Sequence, residues 1–176
     1  PANVLLRWDE SAGTASTFRQ PSGGANGNIR DRQGRLVTCE GSTRRVTRTD
    51  ASGKITVLAD KAKGQRFNAP NDIVEKSDGT IWFTDPSYGG PDYEGEREMS
   101  GCHVWRLDPA TGELTQMTDD MVMPNGLAFS RDESLFYVVD TGSTEGSQNP
   151  NHIRRFHVSS SGLEGGEVFA RSEAKS

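Results

Sequence analysis

The chain has 176 residues, enough for one domain with a core of its own. Only 32% of them are apolar and 20 are glycine, a balance that suits a turn-rich all-β protein and excludes a helical bundle. The net charge of −5 is made of interspersed acids and bases, which excludes nucleic acid as a partner, and no apolar run approaches the roughly 18 residues of a membrane-spanning helix.

In chain order, the first element is a hairpin. Leu6-Arg7-Trp8-Asp9 leads to a turn at Gly13 and returns through Thr17-Phe18. Asn26-Gly27 then opens a strand, Asp31-Arg32-Gln33-Gly34 makes a turn, and Leu36-Val37 begins ten residues after the asparagine. A second hairpin follows, Thr47-Arg48-Thr49-Asp50, Gly53 and Ile55-Thr56-Val57-Leu58. Asn71-Asp72 restarts the pattern, with Ser77-Asp78-Gly79 as the turn and Ile81-Trp82-Phe83 again ten residues on. After a long loop from Pro86 to Gly101, containing Tyr88 and Tyr93, comes Trp105-Arg106-Leu107-Asp108, Gly112 and Leu114-Thr115-Gln116-Met117. Asn125-Gly126 opens the last copy. Leu135-Phe136-Tyr137-Val138-Val139 starts ten residues later, and a degenerate Arg154-Arg155-Phe156-His157 leads past Gly162 to Glu167-Val168-Phe169.

The arginines Arg7, Arg48, Arg106 and Arg155 are spaced by 41, 58 and 49 residues. Four strands recurring every 40 to 50 residues or so describe a blade of a β-propeller. With strands named A to D outward from the axis, residues 1–18 hold a half blade, and 26–60, 70–118 and 124–170 hold one blade each. The expected fold is therefore all-β, about three and a half blades of a single partial propeller domain. A closed ring needs about four to eight blades. The remaining blades are thus the expected partner of this segment, supplied by flanking sequence or another chain.

Strand A lies nearest the axis, so Asn26, Asn71 and Asn125 are expected to ring one mouth of the channel. Strand B ends in an acid each time, Glu40, Asp85 and Asp140. Amide and carboxylate oxygens without thiolates or clustered imidazoles favour a hard divalent cation, Ca²⁺ first, then Mg²⁺ or Mn²⁺. The alternative for each asparagine is a turn residue that caps loop backbone. Asp85 and Glu40 are candidates for binding sugar hydroxyls, and the Pro86–Gly101 loop, with Tyr88, for shaping the pocket. His103, His152 and His157 show no zinc-ligand spacing. Cys39 and Cys102 form neither a metal spacing nor a disulfide framework. That tilts the compartment towards a reducing cytoplasm over a periplasmic or secreted location.

Three phrases are long and distinctive: Asn68-Ala69-Pro70-Asn71-Asp72-Ile73-Val74, Asp78-Gly79-Thr80-Ile81-Trp82-Phe83-Thr84-Asp85-Pro86-Ser87-Tyr88-Gly89, and Met123-Pro124-Asn125-Gly126-Leu127-Ala128-Phe129-Ser130. With Asn26-Gly27-Asn28 they resemble the gluconolactonase, regucalcin (senescence marker protein) and luciferin-regenerating enzyme family along essentially the whole chain. The resemblance implies a six-bladed propeller with one divalent metal on its axis, Ca²⁺ or Zn²⁺. It also implies a hydrolase acting on sugar lactones, with esters or phosphotriesters as alternative substrates, or a non-catalytic binding propeller as the alternative outside enzymes. By resemblance Asn125 is a direct metal ligand, Asn71 contacts metal or substrate, and both are expected to be catalytic; Asn26, Asp85 and Tyr88, from their positions in the repeat and loop, join Asn71 as expected substrate-binding residues. The family's acidic ligands, a Glu and an Asp, are expected before Pro1 and after Ser176. A substrate-binding Arg found in one branch is replaced here by Ala69.

Overall fold

A computed structural model describes residues 3–88, 95–160 and 162–172. Strands β1 (Leu5–Asp9) and β2 (Thr14–Arg19) form a two-stranded ribbon. Strands β3 (Ala25–Arg30), β4 (Leu36–Glu40), β5 (Arg45–Thr49) and β6 (Ile55–Ala59) form an antiparallel meander of four. A small hairpin follows, β7 (Lys61–Ala62) and β8 (Gln65–Arg66). The second four-stranded meander is β9 (Ile73–Glu75), β10 (Ile81–Asp85), β11 (Cys102–Leu107) and β12 (Leu114–Met121). The third is β13 (Pro124–Phe129), β14 (Leu135–Asp140), β15 (His152–Ser159) and β16 (Gly162–Arg171), with one 3₁₀ turn at Gly142–Glu145. Each sheet keeps sequence order from inner to outer strand, the topology of propeller blades.

The recurring Arg-x-Asp phrase has a local cause. Asp9, Asp50 and Asp108 each accept, through Oδ1, the backbone N–H two residues on, at 2.9, 2.8 and 2.8 Å. These Asx turns carry strand C into strand D, and Gly13, Gly53 and Gly112 then supply the positive φ that closes each hairpin. The degenerate fourth copy has His157 in place of the acid, and there β15 runs on to Ser159 before turning.

The middle blade is buried on both faces, which explains why Ile81-Trp82-Phe83 reads as an unbroken apolar run. Period-two alternation sends Ile73, Ile81, Phe83, Trp105 and Leu107 to one side, against Val37, Cys39 and Val46 of the first full blade. Trp82 and Val104 go to the other side, against Phe136, Val138 and Phe156 of the third. The Trp82 ring lies 5.0 Å from Phe136 and edge-on to Phe129 at 5.2 Å. Trp82 and Trp105 thus fill the gaps between blades. The β7–β8 hairpin is a finding that strand patterning did not anticipate. Lys63 and Gly64 both have positive φ, the turn that joins two short antiparallel strands through a two-residue loop. Both cysteines are free and buried, and no helix among the described residues is long and apolar enough to cross a membrane.

Candidate functional site

A chain of hydrogen bonds joins the three asparagine-bearing segments. The Gly27 N–H donates to the Asn71 carbonyl oxygen at 2.6 Å, and the Asn71 N–H donates to the Thr84 carbonyl at 2.9 Å. Thr84 Oγ1 then donates to the Asn125 carbonyl at 2.8 Å. Asn26 and Asn125 sit inside their strands, whereas Asn71 lies two residues ahead of β9. Thr84 and its neighbour Asp72 act as the rivet of this junction. The Thr84 N–H donates to the Asp72 carbonyl at 3.0 Å and the Asp72 N–H to Thr84 Oγ1 at 3.1 Å, while Asp72 Oδ2 accepts the Leu127 N–H at 3.1 Å, tying the second blade to the inner strand of the third. Sequence reading gave neither residue a role; the signal available was the contiguity of Asp72 with Asn71.

The side chains differ in environment. Asn26 is exposed on β3. Asn71 is 7% exposed, and its side-chain amide makes no hydrogen bond among the described residues. Asn125 is half-buried, and its Nδ2 donates to Tyr88 Oη at 3.2 Å. Tyr88 Oη is also hydrogen-bonded to Thr141 Oγ1, which donates in turn to the Met123 carbonyl at 3.2 Å. Tyr88 therefore touches the amide of a candidate ligand. Tyr93 lies outside the described residues.

The acids that end strand B require a correction. Asp85 is 0% exposed, with its two oxygens accepting the Asn68 and Ala69 backbone N–H groups at 3.0 and 2.8 Å. Asp140 does the same for Val122 and Met123, both at 2.9 Å, and also holds the Gly142 N–H. Each clamp grips the two residues just ahead of the Pro-Asn pair, Pro70-Asn71 and Pro124-Asn125. Asp85 therefore cannot reach a substrate. It fixes the loop that delivers Asn71, because a buried carboxylate must find donors and the nearest are backbone amides. Glu40, also fully buried, is held instead by Thr43, Thr47, Arg45 and Arg19.

Burial pushes the Asp85 carboxyl up to about 7, against the pull of the Asn68 and Ala69 N–H groups and of Arg44. Asn68 completes this support: its Nδ2 donates to the Asp85 and Gly101 carbonyls, while Arg97 Nε donates to its Oδ1. His103 is buried, with Nε2 2.9 Å from the Ser100 carbonyl oxygen and its ring 5.1 Å from Trp105, a packing position.

Among the described residues no three His, Cys, Asp or Glu side chains cluster as cation ligands. The fit to a hard cation rests on neutral oxygens. Among the described residues Asn125 has its Nδ2 engaged and its Oδ1 without a partner, and the Asn71 amide is nearly buried and unpartnered. Neutral amide oxygens of this kind are donors that hard divalent cations take.

Residues 1–175 match the family described as the SMP-30/Gluconolactonase/LRE-like region. A gluconolactonase of Zymomonas mobilis is 33% identical over 99% of this chain and 52% of its own length. A lactonohydrolase of Aspergillus oryzae is 33% identical over 71% of this chain and 29% of its own length. The solved structure of a gluconolactonase from Xanthomonas campestris superposes with a TM-score of 0.88 at 36% identity, covering 98% of this chain and 57% of that one. The chain thus spans about half the length of the gluconolactonases it matches.

Proposed function

The chain belongs to the SMP-30/gluconolactonase/LRE-like family, and from that premise we propose that the whole protein hydrolyses a sugar lactone with the help of a divalent cation, Ca²⁺ in the first place. The observation that carries this reading is the hydrogen-bonded path from Asn71 through Thr84 to Asn125, with both amide side chains keeping an oxygen free of protein partners among the described residues. The lactone-hydrolysing relatives support it.

Asn125 and Asn71 are the residues that would hold the cation, Asn125 through Oδ1. When bound, such an ion polarises the ester carbonyl and stabilises the oxyanion formed by water attack. The asparagines are neutral, so they orient oxygen without cancelling positive charge, and they cannot accept the proton of the attacking water. That task needs a carboxylate. Asp85, Asp140 and Glu40 are occupied by their own hydrogen bonds, so none of these three is the base. In this reading Asn26, exposed beside Gly27, would meet substrate hydroxyls.

The test is hydrolysis by the whole protein of gluconolactone, smaller lactones, aryl esters and phosphotriesters, with and without Ca²⁺. Gluconolactone should be turned over best, with activity lost on chelation. Asn125→Ala should lower kcat about a hundredfold or more, in line with loss of one group that stabilises the transition state. Undiminished turnover by that variant, or hydrolysis of phosphotriesters alone, would overturn the reading.

A further inference from the structure

The geometry points to Tyr88 and Thr141 as positioning residues that set which end of the Asn125 amide faces the channel. This rests on the reading of Asn125 as a cation ligand. An amide presents an oxygen acceptor at one end and two N–H donors at the other, and the surrounding hydrogen bonds decide which end points where. The bonds around Asn125 form one consistent chain of donors. Thr141 donates its single hydroxyl hydrogen to the Met123 carbonyl oxygen at 3.2 Å. Thr141 Oγ1 is then an acceptor towards Tyr88, so the phenol hydrogen of Tyr88 is spent on Thr141. Tyr88 Oη is left with lone pairs alone, and the group that meets it must donate. Asn125 does so through Nδ2 at 3.2 Å. The consequence is that Asn125 Oδ1 is turned away from Tyr88 and stays available as a ligand or acceptor.

The relay begins where the loop is already fixed. Met123 is one of the two residues whose N–H groups Asp140 clamps, and the Thr141 N–H donates to the Met123 carbonyl at 3.0 Å. The carbonyl that terminates the chain of donors is therefore held by the same device that delivers Pro124-Asn125. Tyr88 comes from the loop after β10 of the neighbouring blade, so the orientation of one blade's asparagine depends on its neighbour. Without the phenol oxygen, the amide loses the acceptor that holds Nδ2. Its two rotamers become closer in energy, and in one of them N–H groups face the cation.

Tyr88→Phe keeps the ring and removes the relay. In the whole protein it should weaken Ca²⁺ affinity, read by titration calorimetry, about tenfold or more, the usual effect of losing a group that orients a ligand. The melting temperature of the cation-free protein should stay nearly constant. Thr141→Val should reproduce the loss, and Thr141→Ser should restore affinity. The Tyr88→Phe/Thr141→Val double variant should be no worse than the stronger single variant, because both act through one path. If Asn125→Ala weakens Ca²⁺ binding while Tyr88→Phe and Thr141→Val leave it unchanged, the relay is wrong and the cation assignment stands. A lowered melting temperature with unchanged affinity also overturns the relay. If Asn125→Ala itself leaves Ca²⁺ binding intact, the functional reading fails and the relay fails with it.

Discussion

Asp85 carries the main electrostatic consequence at the level of single residues. Its folded-state proton affinity is raised to about 7 from an ordinary 3.8, with burial as the first cause. Folding therefore favours the protonated form. Between pH 4 and 7 the unfolded chain releases this proton first, so the contribution of Asp85 to stability falls as pH rises through that window. Glu40 and Asp31 act in the opposite sense. Their hydrogen bonds and arginine partners hold both below their usual values despite the cost of burial, and their contribution is lost on acidification. Asp85→Asn removes the titration while keeping the shape. The stability advantage of the wild type over this variant should shrink from pH 4.5 to 7.5, by on the order of 1 kcal/mol for each pH unit crossed. Melting curves at several pH values check this; a pH-independent difference would mean that the carboxyl is ionised throughout. The sequence showed an acid at the end of strand B, but not that it turns inward onto Asn68 and Ala69. That choice was made by the loop packed above it.

The elements that approach the axis show how identical dipeptides acquire different constraints. Asn26-Gly27 and Asn125-Gly126 look equivalent along the chain. A Cβ on Gly27 would sit 2.6 Å from both the Asn71 carbonyl oxygen and Asp72 Cα, backbone atoms that cannot step aside. A Cβ on Gly126 meets nothing closer than 3.6 Å. Gly27→Ala should therefore part β3 from the Asn71 segment and cost about 1–3 kcal/mol, whereas Gly126→Ala should be nearly neutral. Denaturant unfolding of the two variants side by side is the measurement, and equal effects would show that the inner strands do not meet as described. The hairpins, by contrast, were legible from the residues. Asp9, Asp50 and Asp108 each carry their turn signal within a few positions, with Gly13, Gly53 and Gly112 closing the loop. The β7–β8 hairpin was missed because two-residue strands have no periodicity to read, and only Lys63-Gly64 marks it.

For the whole molecule, blades stack face to face, and the ribbon β1–β2 has only part of that covering. Leu6 and Trp8 are 63% and 61% exposed, although their residue types belong in a core. Bare apolar side chains on an open ribbon promote association. The 176 residues expressed alone should sediment as more than a monomer at micromolar concentration, and Leu6→Lys/Trp8→Lys should reduce this. A monodisperse monomer for the unaltered chain would refute the expectation.

The sequence by itself determined the all-β class, the strand order within each blade and the in-phase recurrence of Asn26, Asn71 and Asn125, because these depend on residues a few positions apart. Only the tertiary structure decided what each polar group faces: Asp85 clamping backbone, Thr84 bridging two blades, Tyr88 meeting Asn125. Those partners lie 16 to 41 residues apart along the chain. Whether a side chain meets water, backbone or another blade depends on how the sheets stack, and local pattern carries no record of that.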